Sequence, residues 1–252
     1  MFIFVFSRNV QSYNIGLLIV ATGKYIDFVP PLIESARTYF CTKHRVTYFV
    51  FTDGKLPPAP DTIVLHHLLL GWPYDALCKN FAHLAHRDQL MQMDYIFVSD
   101  ADMLFVSPVD DEILSERVGV LHAAFVGKSG TPETRRESTA FIDVEEKHPY
   151  YAAGFYGGTT ASFLKMAQVI KANIESDLQH NIIALWHDES HLNRYFVDNP
   201  PTCVLSPSYC YPGVPVHALM WGVSHLKPKL IALAKDHAAV RSVKNTRPSA
   251  VS

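Results

Sequence analysis

Short apolar runs, each broken by polar or turn residues, recur along the chain and constrain its fold more than any other feature. Ile15 to Ala21 (IGLLIVA) is apolar throughout, the pattern of a strand covered on both faces. Thr22, Gly23 and Lys24 end it. Arg45 to Phe51 (RVTYFVF) is rich in β-formers and stops at Thr52-Asp53-Gly54. Thr62 to Leu70 and Val118 to Ala124 fit further strands, and Tyr95 to Ser99 (YIFVS) a short one that ends at Asp100. Between these runs the apolar spacing turns helical. It predicts helices over Phe28 to Phe40, with Pro30 and Pro31 tolerated in the first turn, and over Ala76 to Met93. Two more are expected over Thr160 to Gln179, after Gly157-Gly158, and over Asp188 to Phe196, before Pro200-Pro201. Leu56 to Asp61 and Ser129 to Ser138 read as loops. Strands alternating with helices predict an α/β fold with a largely parallel sheet, which presents ligands at the carboxyl ends of its strands.

The 252 residues are 48% hydrophobic and 18% charged, a globular composition long enough for one large domain. Twenty-two basic against 24 acidic residues leave a net charge of −2, which excludes a strongly basic nucleic-acid binder. No apolar run reaches the roughly 20 residues of a membrane span, so no integral membrane segment is expected. Met1 to Phe6 (MFIFVF) reads as an opening strand. It lacks the basic first region and small-residue cleavage site of a signal peptide. Cys41, Cys78, Cys203 and Cys210 form no CxxC pair, so free thiols in a reducing compartment are expected. Lys235 to Ser252 is polar and basic and reads as a mobile tail. No GxGxxG or GxxxxGK[ST] phosphate loop occurs.

Four segments concentrate chemistry. Asp100-Ala101-Asp102 follows a strand directly, and alternate side chains of an extended segment share a face. Two carboxylates there suit a hard divalent cation whose other positions are filled by phosphate and water; a solvated acidic turn is the other reading. Trp186-His187-Asp188-Glu189-Ser190-His191 packs two acids, two imidazoles and an indole into six residues. Asp188 there could cap the following helix and Glu189 lie in its first turn. His187 and His191, four apart, would share a helix face as zinc ligands do, but a zinc hydrolase needs Glu where Asp188 stands. Tyr150 to Gly158 (YYAAGFYGG) alternates aromatics with small residues, which suits either close approach to a ligand or a buried strand. Lys235-Asp236-His237 with Arg241 could close over phosphates or stay solvated.

Together these segments resemble glycosyltransferase family six, which holds the histo-blood-group A and B transferases, α-1,3-galactosyltransferases and soluble bacterial and phage relatives. The resemblance is carried by WHDESHLN at Trp186 to Asn193, VLSPSY at Val204 to Tyr209, HRVTYFVFTD at His44 to Asp53 and YYAAGFYGG at Tyr150 to Gly158. It spans about Ile15 to Arg241. It implies a GT-A fold, a Rossmann-like mixed sheet flanked by helices with an acceptor-binding subregion. The expected division is one catalytic domain over 1–241, with a nucleotide half to about 120 and an acceptor half over about 121–234, and a tail over 235–252. The resemblance implies retaining transfer of GalNAc or Gal from UDP-GalNAc or UDP-Gal to the 3-hydroxyl of a galactoside, which fucose could decorate. Asp100, Ala101 and Asp102 match the family's Asp-x-Asp, with Asp100 and Asp102 as ligands to Mn²⁺, or Mg²⁺, on the diphosphate. Val20, Ala21, Thr22 and Tyr25 match the uridine-binding segment. Glu189 matches the catalytic carboxylate beside the anomeric carbon, and Asp188 a residue that holds the donor sugar. His122 and Trp186 fall where the family contacts the acceptor. Lys235 and Arg241 match cations that close over the diphosphate.

The sequence departs from the family pattern in three places. Lys79 stands where mammalian members carry an Arg, keeping the charge and losing the planar fork. Ala152, Ala153 and Gly154 fill the positions that choose between Gal and GalNAc, and their small size leaves room for an N-acetyl group. The Golgi anchor and stem of mammalian members are not in the sequence given, so a cytoplasmic bacterial or phage type is expected, or the Golgi lumen if a removed anchor preceded this chain. A sugar-nucleotide-binding module without catalysis is the alternative from another class.

Overall fold

A computed structural model describes residues 12–241, so the strand expected over Met1 to Phe6 lies outside the described residues. Strand β1 (Asn14–Val20) is the apolar run read above, and Ile15, Leu17, Leu18 and Ile19 are all fully buried. It is followed by a 3-10 turn over Gly23–Phe28 and by α1 (Val29–Tyr39), which starts with Pro30 and Pro31 in its first turn. Strands β2 (Arg45–Thr52) and β3 (Thr62–His66) come next. The run expected as a strand to Leu70 stops pairing at His66, and the chain then passes through Leu69, Gly71 and a cis Trp72–Pro73 bond.

The single helix expected over Ala76 to Met93 is three short ones: α2 (Tyr74–Leu77), α3 (Lys79–Ala85) and α4 (Arg87–Leu90). Leu77, Cys78, Lys79 and Asn80 are buried four in a row. One straight helix cannot bury four successive residues on a single face, because each step turns about 100°. The chain resets at Cys78, which leaves the helical region with ψ of 15°.

Strand β4 (Tyr95–Ser99) runs into β5 (Met103–Phe105), with β6 (Arg117–Leu121) beyond; the strand expected to Ala124 ends at Leu121 and continues as a 3-10 turn. Strand β7 (Tyr151–Thr159) leads without a break into α5 (Thr160–Gln179). The buried stripe of α5, Phe163, Met166, Ala167, Ile170, Ile174 and Leu178, has helical spacing. Then follow α6 (Asp188–Asp198), β8 (Cys203–Leu205), β9 (Tyr211–Pro212), α7 (Pro215–Met220), β10 (Leu230–Ala232) and α8 (His237–Val240). Among the described residues no helix is long and apolar enough to cross a membrane. All four cysteines are free thiols.

The main sheet has seven strands in the order β3-β2-β1-β4-β7-β6-β8. It is largely parallel, as expected, with β7 the one strand that runs against the others. The β3-β2-β1-β4 half is parallel, β7 runs antiparallel to both β4 and β6, and β6 is parallel to β8. Close packing of β7 on β4 depends on Gly157, where a Cβ would stand 2.2 Å from the Ile96 carbonyl. A second sheet, β5-β10-β9, pairs β10 antiparallel with β5 and parallel with β9. One face of the main sheet packs on α1 through Val29, Leu32 and Ala36, and the other on α3, α5 and α6 through Ala82, Phe163 and Leu192. This is a GT-A-type mixed α/β architecture, and it gathers the carboxyl ends of β1 and β4 and the amino end of α6 around one opening.

Candidate active site

That opening is a cavity of about 250 Å³. Val20, Thr22, Gly23 and Tyr25 line it from the end of β1; Asp100, Ala101 and Asp102 from the β4–β5 turn; Trp186 to Glu189 from the start of α6; and Lys235 and Arg241 from the C-terminal segment. Lys79, Ala153 and Gly154 complete this set of expected residues. Ala21, Ala152 and His122 are not in the lining. Ala21 is fully buried in the core, and Ala152 pairs with Val120 inside the sheet. Successive strand side chains point to opposite faces, so three consecutive residues of β7 cannot all face one cavity. Ala153 and Gly154 reach it, and a Cβ on Gly154 would lie 2.9 Å from Cys210 Sγ and 3.8 Å from Asp100 Oδ2.

Asp100 and Asp102 do not sit on an extended segment. They flank a tight turn at buried Ala101, and both carboxylates still meet the cavity. Each is held by a lysine. Lys79 Nζ lies 2.9 Å from Asp100 Oδ1 and 2.7 Å from Asp188 Oδ2. Burial opposes charge on Lys79, but Asp100 and Asp188 outweigh it and hold its pKa well above the ordinary lysine value. Lys235 Nζ contacts Asp102 Oδ2. Burial and the nearby Asp100 push the Asp102 carboxyl up, and Lys235 opposes both.

The start of α6 differs from its expected form. Its cap position is His187, not Asp188, and His187 has φ of 53° and ψ of −122°, a strained region for a residue with a side chain. Asp188 is the first helical residue and spends its carboxylate on Lys79. Because His187 is outside the helix, it and His191 do not share a helix face. His191 is buried with Nε2 3.8 Å from Asp177 Oδ2. Among the described residues no three His, Cys, Asp or Glu side chains converge on a metal position, so the zinc arrangement lacks its geometric basis.

Glu189 lies in the first turn of α6 and opens onto the cavity. Its Oε1 accepts a hydrogen bond from the Tyr150 hydroxyl and its Oε2 one from the Ala153 N–H, both at 3.0 Å. Burial pushes its pKa to about 7, against these two bonds and with help from the negative charges of Asp188 and Asp100. Asn193, one turn later, pins the two elements together: its amide bonds both the N–H and C=O of Tyr151 at 2.8 Å and the Glu189 carbonyl at 2.9 Å.

His122 sits behind the cavity in an aromatic cluster, with ring centroids 4.8 Å from Phe125, 5.9 Å from Tyr150 and 6.2 Å from Trp221. Burial lowers its pKa to about 4, so it is neutral near pH 7. Trp186 is 47% exposed at the cavity. Of the segment expected to be mobile, residues 235–241 are described and 242–252 lie outside the described residues. Asp236 caps α8 by accepting from Ala238 and Ala239 N–H, and Lys24 Nζ donates to the Ala239 carbonyl at 2.9 Å. The Arg241 guanidinium lies 3.6 Å from the centre of the Trp72 ring, which also meets His187 edge-on at 4.5 Å. Trp72 is the main lining residue that the sequence reading passed over. An aromatic between Gly71 and Pro73 was the available signal.

Asp100 and Asp102 fit a divalent cation of the Mg²⁺ or Mn²⁺ kind. Both supply hard oxygen donors at the cavity, and such ions need only one or two protein carboxylates where phosphates complete the shell.

The model of glycosyltransferase family 6 matches residues 5–65 and 78–242. The chain is 33% identical over 247 residues to histo-blood group ABO system transferase 1 of Rattus norvegicus, covering 93% of this chain and 70% of that one. It is 34% identical to the globoside alpha-1,3-N-acetylgalactosaminyltransferase 1 of Homo sapiens, covering 79% of this chain and 61% of the relative. It is 29% identical to the O-antigen biosynthesis glycosyltransferase WbnI of Escherichia coli, covering 79% and 88%. This chain therefore spans under two thirds of the human relative's length and most of the bacterial one's. Fold, cavity and the match over nearly the whole chain agree: it belongs to glycosyltransferase family 6 and is a hexosyltransferase of that family.

Proposed function

We propose that the chain transfers GalNAc, or Gal, from its UDP-sugar to the 3-hydroxyl of a galactoside in α-1,3 linkage, with retention and with Mn²⁺ or Mg²⁺ as cofactor. The observation that carries this reading is Glu189: a carboxylate aimed into the cavity, gripped at both oxygens, beside a turn that offers two further carboxylates. Asp100 and Asp102 would hold the metal, which neutralises diphosphate charge when bound.

The remaining roles fall to the chain itself. Lys235 and Arg241 face the same opening as Asp100 and Asp102 and offset charge on the departing UDP. Glu189, ionised, works on the β-face of C1, by bonding to it or by stabilising its positive charge as the phosphate bond breaks. The acceptor hydroxyl then forms the new bond to C1 on the face the phosphate left, and its proton passes to the phosphate oxygen. Tyr150 and Ala153 keep Glu189 in the geometry this needs. Asp188, fixed by Lys79, lies next to it to bind sugar hydroxyls. Ala153 and Gly154 leave space beside the site, which favours GalNAc over Gal.

UDP release from UDP-GalNAc and UDP-Gal, each with MnCl₂ or EDTA and with or without a galactoside acceptor, tests the reading. Mn²⁺-dependent release that rises with acceptor is expected, faster from UDP-GalNAc. Equal release in EDTA removes the metal from the mechanism. UDP binding with no release from either donor makes the chain a sugar-nucleotide-binding module.

A further inference from the structure

Between α5 and α6 the chain crosses residues 180–187 in turns and irregular backbone, and this connector carries Trp186. Leu185 and Trp186 are 52% and 47% exposed, so burial alone does not fix them. Backbone groups outside a helix or a sheet ladder need other partners, and here side chains supply them. Glu133 Oε2 accepts from Leu185 N–H at 2.8 Å, and Arg135 Nη2 donates to the Ile183 carbonyl at 2.7 Å. Trp186 N–H donates to Ser190 Oγ at 2.9 Å, and its indole Nε1–H donates to Thr131 Oγ1 at 2.8 Å.

Glu133 and Arg135 also hold each other. Arg135 Nε donates to Oε1 at 2.9 Å and Nη2 to Oε2 at 2.6 Å, a two-pronged fit that fixes both partners. Glu133 is buried, and its hydrogen bonding with Arg135 holds the carboxyl down at about 2, so the pair stays charged across the neutral range. The loop behind the pair is anchored on α5. Buried Asp177 accepts from Ser138 Oγ at 2.6 Å and from Thr139 N–H at 2.7 Å, and Thr139 Oγ1 donates to the Asn173 carbonyl at 3.0 Å. A long helix thus holds the connector through this loop.

We propose that Glu133 and Arg135 are positioning residues for acceptor binding: a buried ion pair that fixes the connector over 183–186 and so holds the Trp186 indole still at the cavity mouth, where a sugar ring can pack on it. Neither residue lines the cavity, so both act through Trp186. A side chain already ordered before binding loses less freedom when the ligand arrives, which strengthens binding without touching the reacting atoms. The effect on transfer rests on the functional reading above, with Trp186 on the acceptor side; the clamp on the indole does not.

Indole ¹⁵N relaxation tests the clamp directly, because the chain has three tryptophans, Trp72, Trp186 and Trp221. The Trp186 signal is assigned by its loss in Trp186→Phe. The main variant is Glu133→Met/Arg135→Met. Replacing a buried ion pair by apolar side chains is often neutral for stability, yet methionine gives Leu185 N–H and the Ile183 carbonyl no partner. With a urea midpoint close to that of the wild type, the Trp186 order parameter is expected to fall from about 0.8 to below about 0.6, the scale that separates rigid from flexible N–H groups. If the double variant does not fold, Arg135→Ala, which frees the Ile183 carbonyl and leaves Glu133 on Leu185, is expected to lower it less. An order parameter unchanged in the folded variant overturns the clamp. In transfer assays the same variant is expected to raise acceptor KM by about 3–10-fold, with kcat and donor KM changed by less than about twofold. In a Trp186→Ala background the added double change is expected to raise acceptor KM by less than about twofold, since the residue it acts through is gone. A full rise in that background, or no rise in the wild-type one, overturns the positioning role. If the wild type transfers neither sugar, the functional reading fails, and the relaxation result still decides the clamp.

Discussion

Replacing Glu189 by Gln is expected to stabilise the protein at neutral and alkaline pH while removing most of its activity. The folded pKa of Glu189, about 7, lies above its ordinary value of 4.5. Below about pH 4.5 the group is protonated in both folded and unfolded chains, and the fold keeps its full stability. As pH rises from there to about 7, the unfolded chain ionises while the folded one resists, so stability falls across that window and then levels off. A pKa rise of this size corresponds to about 3 kcal/mol. The carboxylate is partly open to the cavity, which reduces the expected cost to about 1–3 kcal/mol. Glutamine has no such window. It also keeps both bonds: its carbonyl oxygen can accept from Ala153 N–H, and its NH₂ can donate to the Tyr150 oxygen, which accepts as readily as it donates. Urea midpoints of wild type and Glu189→Gln, measured from pH 4.5 to 8.5 without donor or metal, should coincide at the acid end and separate above pH 7. Transfer should fall by about 10²–10⁴-fold, the size of a lost acid/base or charge-stabilising group. A stability gap that is the same at every pH would refute the reasoning, because the Glu189 carboxylate would then not be charged at a cost to the fold.

Two further substitutions probe the ion pairs at the other carboxylates. Lys79→Met leaves Asp188 buried without its ammonium and should destabilise the fold by about 3 kcal/mol in urea titrations, with partial recovery in the Lys79→Met/Asp188→Asn double variant; additive losses would mean the pair is not coupled. Asp102→Asn should reduce Mn²⁺-stimulated UDP release by about 10²-fold, and release that keeps its full Mn²⁺ response would remove Asp102 from the metal site.

What could be read from the sequence follows from which forces are local. The runs at β1, β2 and β4 stand out because a strand covered on both faces must be apolar along its whole length, and the long stripe of α5 repeats at a clear helical period. The clustering of Asp100, Asp102, Asp188 and Glu189 was legible for a related reason: charged residues beside buried runs need a partner or a purpose. Tertiary geometry hid the rest. A helical period cannot show that Lys79 begins a new helix, because the break answers to what must be buried on two sides rather than to any local breaker. Nor can it show that β7 runs antiparallel, since the same apolar segment suits either direction.

Partner choice is the least local property of all. Asp188 looked like a helix cap because caps are a local habit of aspartate. In the fold Lys79, more than a hundred positions away, claims it, and the strained His187 takes the cap position instead. The same exchange explains the lysines at Asp100 and Asp102. Lys79 and Lys235 pair with carboxylates that would otherwise repel one another. Lys79 bridges Asp100 and Asp188, whereas Lys235 pairs with Asp102. The lysines thus offset the charge of three clustered acids, and their pairing follows from the fold rather than from any local pattern in the sequence.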